Sequence, residues 1–246
     1  IGNAKPKAYD KVHHQRIESI IRDDKRFGSL IRKWRPSAAT KRCTSPKSIS
    51  RKMRALKNRS APGADKIHNI LLENSSETTV HVLSKIFNLL VAAGCFPSLW
   101  KKTVLNPIPK KSEVSIAGDL RPISLLSCLA KLLERCFLEE LQQETDALGV
   151  IPEKQAAFSK GKSAMIHLVR TSQLIRKNIA NGKFSAMILM DIQKAYNSVW
   201  HSGLLYKLQE LCYSEHVIAF VSGWITRRKY ATRIGAFVSP FIIYTR

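Results

Sequence analysis

The run Phe184-Ser185-Ala186-Met187-Ile188-Leu189-Met190 is apolar almost throughout and stops at a carboxylate, Asp191. It lacks the alternation of a half-exposed strand, so it predicts a β-strand covered on both faces. A strand of that kind needs sheet neighbours and a layer above and below it. The surrounding sequence is mostly helical in period, so the expected class is α+β.

Helices are legible from their caps and spacings. Ser45-Pro46 reads as a cap followed by proline at the first helical position, opening a helix to about Lys57 with Ile49, Met53 and Leu56 on one face. Ser60-Ala61-Pro62-Gly63-Ala64-Asp65 reads as a loop, with Asp65 capping a short helix that carries Ile67, Ile70 and Leu71. Val80, Leu83, Phe87 and Leu90 recur at helical spacing up to Gly94. A long helix is predicted over 127–148, ending at Gly149, and another from Ser163 to Asn181 through Ile166, Val169, Ile175 and Ile179. Shorter helices follow near 202–212 and 215–227, and the stretch from Tyr230 to Tyr244 reads as a hairpin turning at Gly235.

Between 102 and 126 the pattern is extended. Thr103-Val104-Leu105-Asn106-Pro107-Ile108-Pro109 holds two prolines, which argue for an edge position. Leu120–Leu126 supplies a second extended piece, and Lys110-Lys111-Ser112-Glu113 with Ala117-Gly118-Asp119 supplies the turn. The result is a hairpin with basic residues at tip and base, suited to gripping a phosphate chain.

Charge narrows the partner. The 246 residues hold 41 Lys and Arg against 18 Asp and Glu, a formal balance of +23. Residues 1–59 hold 18 against 4 (18 − 4 = +14) and the rest 23 against 14 (23 − 14 = +9), so the excess is concentrated at the front and persists behind it. A polyanion such as nucleic acid is the expected partner, with an anionic membrane surface as the rival. No apolar run approaches the roughly 20 residues of a membrane span. The five cysteines, Cys43, Cys95, Cys128, Cys136 and Cys212, are odd in number and widely spaced, which points to a reducing intracellular setting, cytoplasm or nucleus, rather than secretion. The opening Ile1-Gly2-Asn3 reads as part of something longer.

Two readings compete at Asp191. A carboxylate leaving a buried strand, with Tyr196 five residues on, suits a metal ligand beside a sugar; an aspartate capping the next helix and a core tyrosine fit the same residues. Asp23-Asp24 and His13-His14 read as solvated surface residues, the first flanked by cations and the second pointing in different directions on a helix.

Several stretches occur in one order: Ser60-Ala61-Pro62-Gly63-Ala64-Asp65; Phe96-Pro97 with Trp100-Lys101; Asn106-Pro107-Ile108-Pro109-Lys110; and Leu120-Arg121-Pro122-Ile123-Ser124-Leu125-Leu126 with Lys131 and Glu134. Gln155-Ala156-Ala157-Phe158 with Gly161 and Ser163, then Met190 through His201, complete the series. In this order and spacing, over about residues 55–235, the chain resembles the reverse transcriptases, RNA-directed DNA polymerases, of LINE-type, non-long-terminal-repeat retrotransposons. The resemblance implies the fingers and first part of the palm of a right-hand polymerase over 46–246, preceded by a basic helical extension or linker over 1–45.

It also implies roles. Lys110 and Arg121 fall where a hairpin meets the triphosphate of the incoming nucleotide. Tyr196 falls where an aromatic excludes the ribose 2′-hydroxyl, and Asp191 matches the first catalytic, metal-binding aspartate. Gln155, Phe158, Gly161 and Ser163 match the segment beside the template, and Trp224, Arg227 and Arg228 match a later helix that ends in an arginine. RNA template, DNA primer, deoxynucleotide and Mg²⁺ are the implied partners and cofactor.

Departures qualify these roles. Ala157 stands where glycine is usual, Lys66 where Asp-Gly is usual, and Asn197 where an aspartate is usual. The family continues with Gly-Val-Pro-Gln-Gly and Tyr-Ala-Asp-Asp segments, whereas no aspartate follows Asp191 up to Arg246. The expectation is a truncated polymerase fragment, catalytically silent, with an incomplete and marginally stable core. The alternative is a non-enzymatic basic nucleic-acid-binding remnant.

Overall fold

A computed structural model describes residues 43–57, 60–65, 67–110, 112, 120–159, 161–192 and 195–243. Most of the expected basic extension, with His13-His14 and Asp23-Asp24, lies outside the described residues, as do Lys66 and nearly all of the turn between the two extended stretches.

The first helix, α1 (Pro46–Arg54), begins as its sequence dictates: the Ser45 hydroxyl accepts from the Ser48 amide, and proline occupies the first turn. It buries Ile49 and Met53. The short α2 (Asn69–Glu73) is capped at His68 rather than at Asp65. Asp65 is occupied elsewhere, because one of its oxygens accepts from the Ile67 amide and the other from the Ser127 hydroxyl at 2.5 Å. A tertiary partner has taken the carboxylate that local pattern assigned to the helix.

Helix α3 (Glu77–Ala92) ends at Gly94, whose φ is +61°. A single turn of 3₁₀ helix then leads into β1 (Lys102–Pro109), which pairs antiparallel with β2 (Leu120–Leu125), Pro107 facing Pro122. The proline argument holds for only half of β1. Lys102–Leu105 also pair in parallel with β3 (Lys229–Ile234), making that half central, while the proline half has a neighbour on one side only. Proline lacks the N–H a second ladder would require, and the second ladder stops before Pro107.

The long α4 (Cys128–Leu148) runs from a Ser127 cap to Gly149, and α5 (Ala164–Ala180), α6 (His201–Glu210) and α7 (Glu215–Ile225) follow. Beyond α7, β3 turns at Gly235 into β4 (Phe237–Val238), and β5 (Ile242–Ile243) returns to β3. The register shifts by one residue between those two pairings, with the extra residue among 239–241.

The core lies among α1, α3, α4 and α7. Phe96 is fully buried, with edge-to-face contacts to Trp100 at 6.1 Å and Phe220 at 6.0 Å, and Phe137 lies 4.4 Å from Phe220. Carboxylates of α4 fix α7 against it. Glu134 accepts from the Trp224 indole at 2.7 Å, Glu140 meets the His216 ring at 2.9 Å, and Glu144 accepts from the Ser214 hydroxyl at 2.8 Å and from its amide. Where α3 ends beside α7, a side chain on Gly223 would meet the Gly94 carbonyl oxygen at 2.5 Å, so the two backbones touch through glycine.

The run Phe184–Asp191 forms no strand. It is unpaired and exposed, with Phe184, Ile188, Leu189 and Met190 all more than four-fifths accessible. Hydrophobicity can demand burial, but a strand also needs a partner ladder, and among the described residues none lies alongside. Helix α5 shares this condition: it is helical as predicted, yet none of its residues is buried.

At the junction of the 3₁₀ turn and β1, Lys101 is only 3% exposed. Burial first, and Arg228 and Arg227 second, push its ammonium down to about 8. Arg228 itself stacks on Trp224 at 5.0 Å and lies 3.6 Å from Glu134; burial lowers its pKa and Glu134 opposes that shift.

Two predictions follow from this packing. Between about pH 8 and 10.5 the unfolded chain binds more protons at Lys101 than the folded one, so this group's contribution to stability rises with pH across that window. Lys101→Met is expected to be about 2 kcal/mol more stable than the wild type at pH 7, with the advantage shrinking towards pH 10. Urea midpoints at both pH values check this, and comparing variant with wild type largely cancels the opposing contribution of Cys95, which burial pushes up to about 11. Gly223→Ala is expected to lose about 1–3 kcal/mol, because overpacking against the Gly94 carbonyl outweighs alanine's better helix propensity. Unchanged thermal stability would show that the two backbones separate freely.

Candidate nucleotide and nucleic-acid site

The hairpin is the best-defined candidate element. Its ladder runs from Val104↔Leu125 out to Pro109↔Leu120, and Arg121 faces Ile108. Lys110 follows Pro109, the last paired residue of β1, so it and Arg121 lie near the same end of the hairpin. Both are exposed. Arginine contributes a rigid fork of donors and lysine a mobile point charge, a pair suited to a polyphosphate.

The base of the hairpin is anchored by the loop that precedes it in sequence. Gly63 lies so close to the 126–127 backbone that an added side chain would meet the Ser127 amide nitrogen at 2.4 Å. Beside it, the Ser127 hydroxyl donates to Asp65 while accepting from the Ala130 amide. The Pro-Gly pair and the aspartate therefore hold the end of β2 to the start of α4. Sequence reading identified the loop but missed this latch, because its partner lies 62 residues away.

The residues that the resemblance matches to the template side, Gln155, Phe158, Gly161 and Ser163, lie on the connection between α4 and α5. Phe158 has φ +58° and is 91% exposed, so a large aromatic in the left-handed region presents its whole face outward. Gln155 donates weakly to the Ala157 carbonyl, Gly161 has φ +74°, and Ser163 precedes the first turn of α5 without a side-chain capping bond. The hydroxyl of Ser163 is not spent on the cap.

Asp191 sits at the exposed end of the unpaired apolar run, and Tyr196 lies on a 3₁₀ turn, Ala195–Ser198, with its ring 80% accessible. Neither occupies the buried setting predicted from sequence. Among the described residues no group of three or more His, Cys, Asp or Glu side chains gathers to hold a metal ion. Lys110, Arg121, Phe158, Asp191 and Tyr196 are thus all exposed, on a chain whose charge excess is positive.

Comparison with known proteins bears on these pieces. A family model of the reverse transcriptase (RNA-dependent DNA polymerase) matches residues 108–244. The RNA-directed DNA polymerase from the mobile element jockey of Drosophila melanogaster is 29% identical over 180 residues, 73% of this chain and 20% of the relative. The probable RNA-directed DNA polymerase from transposon X-element of the same fly is 28% identical over 184 residues, covering 74% of this chain and 20% of the relative. A retrovirus-related Pol polyprotein from the type-1 retrotransposable element R2 of Popillia japonica is 22% identical over 176 residues, 72% of this chain and 24% of the relative. The chain thus spans about a fifth to a quarter of the length of these relatives. With the hairpin, the exposed connection and Asp191 all inside the matched residues or at their margin, the chain belongs to the reverse transcriptase (RNA-dependent DNA polymerase) family, alongside the polymerases of non-long-terminal-repeat retrotransposons.

Proposed function

We propose that this chain is a section of the RNA-directed DNA polymerase of a LINE-type retrotransposon, comprising the fingers and the first part of the palm. The observation that carries the reading is the β1–β2 hairpin, which presents Lys110 and Arg121 at one end. In this assignment the Arg121 guanidinium forks onto non-bridging phosphate oxygens of an incoming deoxynucleotide, and Lys110 adds a second, adjustable charge. The β1–β2 ladder holds Arg121 opposite Ile108, and Lys110 follows its last pair, Pro109↔Leu120. Gln155, Phe158, Gly161 and Ser163 form the template side, with the exposed Phe158 ring stacking on a base and the Ser163 hydroxyl free to meet backbone or sugar. Tyr196 is assigned the place beneath the sugar, where a phenol ring leaves no room for a 2′-hydroxyl. RNA template and DNA primer are the corresponding partners.

Magnesium is the ion the assignment implies, and polymerases use it to activate the attacking hydroxyl and neutralise the leaving pyrophosphate. The donor set described here does not fit a two-metal centre: Asp191 is a single exposed carboxylate. Asp191 is therefore assigned one ligand's share. That same lone carboxylate, with the net charge of +23, favours a second reading in which the chain by itself binds nucleic acid without chemistry.

The assignments are testable by binding and by turnover. Lys110→Glu with Arg121→Glu is expected to weaken deoxynucleoside triphosphate binding at least tenfold, measured by competition with a fluorescent analogue, while circular dichroism stays unchanged. Equal affinity in a folded double variant would remove the hairpin from the nucleotide site. Primer extension on an RNA template with magnesium is expected to yield no product from this chain alone. Extension that disappears in Asp191→Ala would overturn that silence and establish catalysis.

A further inference from the structure

Between α1 and the first turns of α3 lies an open cleft of about 1110 Å³, lined by Lys47, Ser50, Arg51 and Arg54 on one wall and by Glu77 and His81 on the other. The basic residues are spaced i, i+4 and i+7, which puts them in one stripe along α1. That stripe is separate from the face that buries Ile49 and Met53 in the core.

Neighbouring carboxylates account for only part of this charge. Glu139 draws in Lys52 at 2.6 Å and Arg51 at 3.2 Å, and the Lys52 hydrogen bond is the chief reason its carboxyl is held below the usual range. Glu77 turns to His81 at 3.9 Å on its own helix. Lys47 and Arg54 make no ion pair among the described residues, and both are exposed at the two ends of the stripe. Seven residues of helix separate them by roughly 10 Å along the helix axis, enough for the two cations to meet different phosphates of one strand. Serine hydroxyls between the cations supply further donors to phosphate oxygens.

We propose that the α1–α3 cleft is a second nucleic-acid contact, distinct from the hairpin, in which Lys47 and Arg54 clamp the sugar-phosphate backbone of a single strand. This rests on the polymerase reading for the identity of the strand but uses none of the residues assigned to the nucleotide site. The contact is to backbone, so it is indifferent to sequence and sensitive to salt. It fixes where a template strand lies before it reaches the hairpin.

The test uses the full chain and a fluorescent 20-nucleotide RNA, with affinity measured across a salt series. Lys47→Glu with Arg54→Glu is expected to weaken binding about tenfold or more and to flatten the slope of log affinity against log salt by about 1.4, two phosphate contacts' worth. A 4-thiouridine-substituted RNA is expected to cross-link within residues 45–54 of the wild type. Both positions are exposed, so an unchanged thermal melt is expected to accompany the loss. Unaltered affinity and slope in the folded double variant would overturn the cleft contact, and so would loss of binding to anionic phospholipid vesicles without loss of RNA binding. The hairpin variant Lys110→Glu/Arg121→Glu, run in parallel, separates the two readings. Triphosphate binding lost only in the hairpin variant, with RNA binding intact in the cleft variant, sinks the cleft and leaves the polymerase assignment standing.

Discussion

The arrangement depends on the row of carboxylates along α4. Glu134, Glu140 and Glu144 accept from Trp224, His216 and Ser214 of the α7 region, so one helix fixes the other along much of its length. The position of α7 sets where β3 starts, and β3 pairs in parallel with the first half of β1. The hairpin carrying Lys110 and Arg121 is therefore held through a chain of contacts that begins at three glutamates. Each carboxylate is partly or fully shielded from water and matched to a donor, the condition under which such bonds discriminate strongly against alternatives.

The molecule divides into two kinds of surface history. The buried apolar cluster draws its large side chains from α1, α3, α4 and α7 and their flanks, and the Thr44 backbone is held there by Asn88 at 2.9 Å in both directions. Between α4 and α6, by contrast, Met165, Leu168, Ile179, Met187, Leu189 and Trp200 all face outward. The residues assigned to template, sugar and metal lie in this second part. Lys110 and Arg121 share its openness, but Arg121 stands on a paired ladder and Lys110 follows the last pair.

Sequence reading succeeded where the cause of structure was local. Ser45-Pro46 capped and opened α1, Gly94 and Gly149 ended α3 and α4, and the alternating prolines marked where β1 loses its second neighbour. It failed where a partner distant in the chain decided the outcome. Asp65 was drawn from a helix cap to Ser127, and Phe184–Asp191, apolar enough for a buried strand, has no ladder to join. Buried charge was equally invisible: nothing in Trp100-Lys101 signals an ammonium 3% exposed beside two arginines. The motif order, by contrast, assigns expected roles by resemblance and carries no information on local conformation, so it did not register that Asp191 follows an unpaired run.

That contrast bears on what a site needs. Arg121 takes its place from backbone pairing, since it faces Ile108 across the ladder, and Lys110 follows the last pair at Pro109. A carboxylate at the end of an unpaired run has no such frame, and metal ligation demands placement within about half an ångström. Asp191 therefore lacks the frame that a buried Phe184–Met190 strand would provide, whereas Arg121 stands on the β1–β2 ladder, which β3 in turn supports. The proposed anion contact at the hairpin and the proposed metal contact at Asp191 accordingly rest on different supports, the first on the β1–β2 ladder and the second on burial of the run that leads to Asp191.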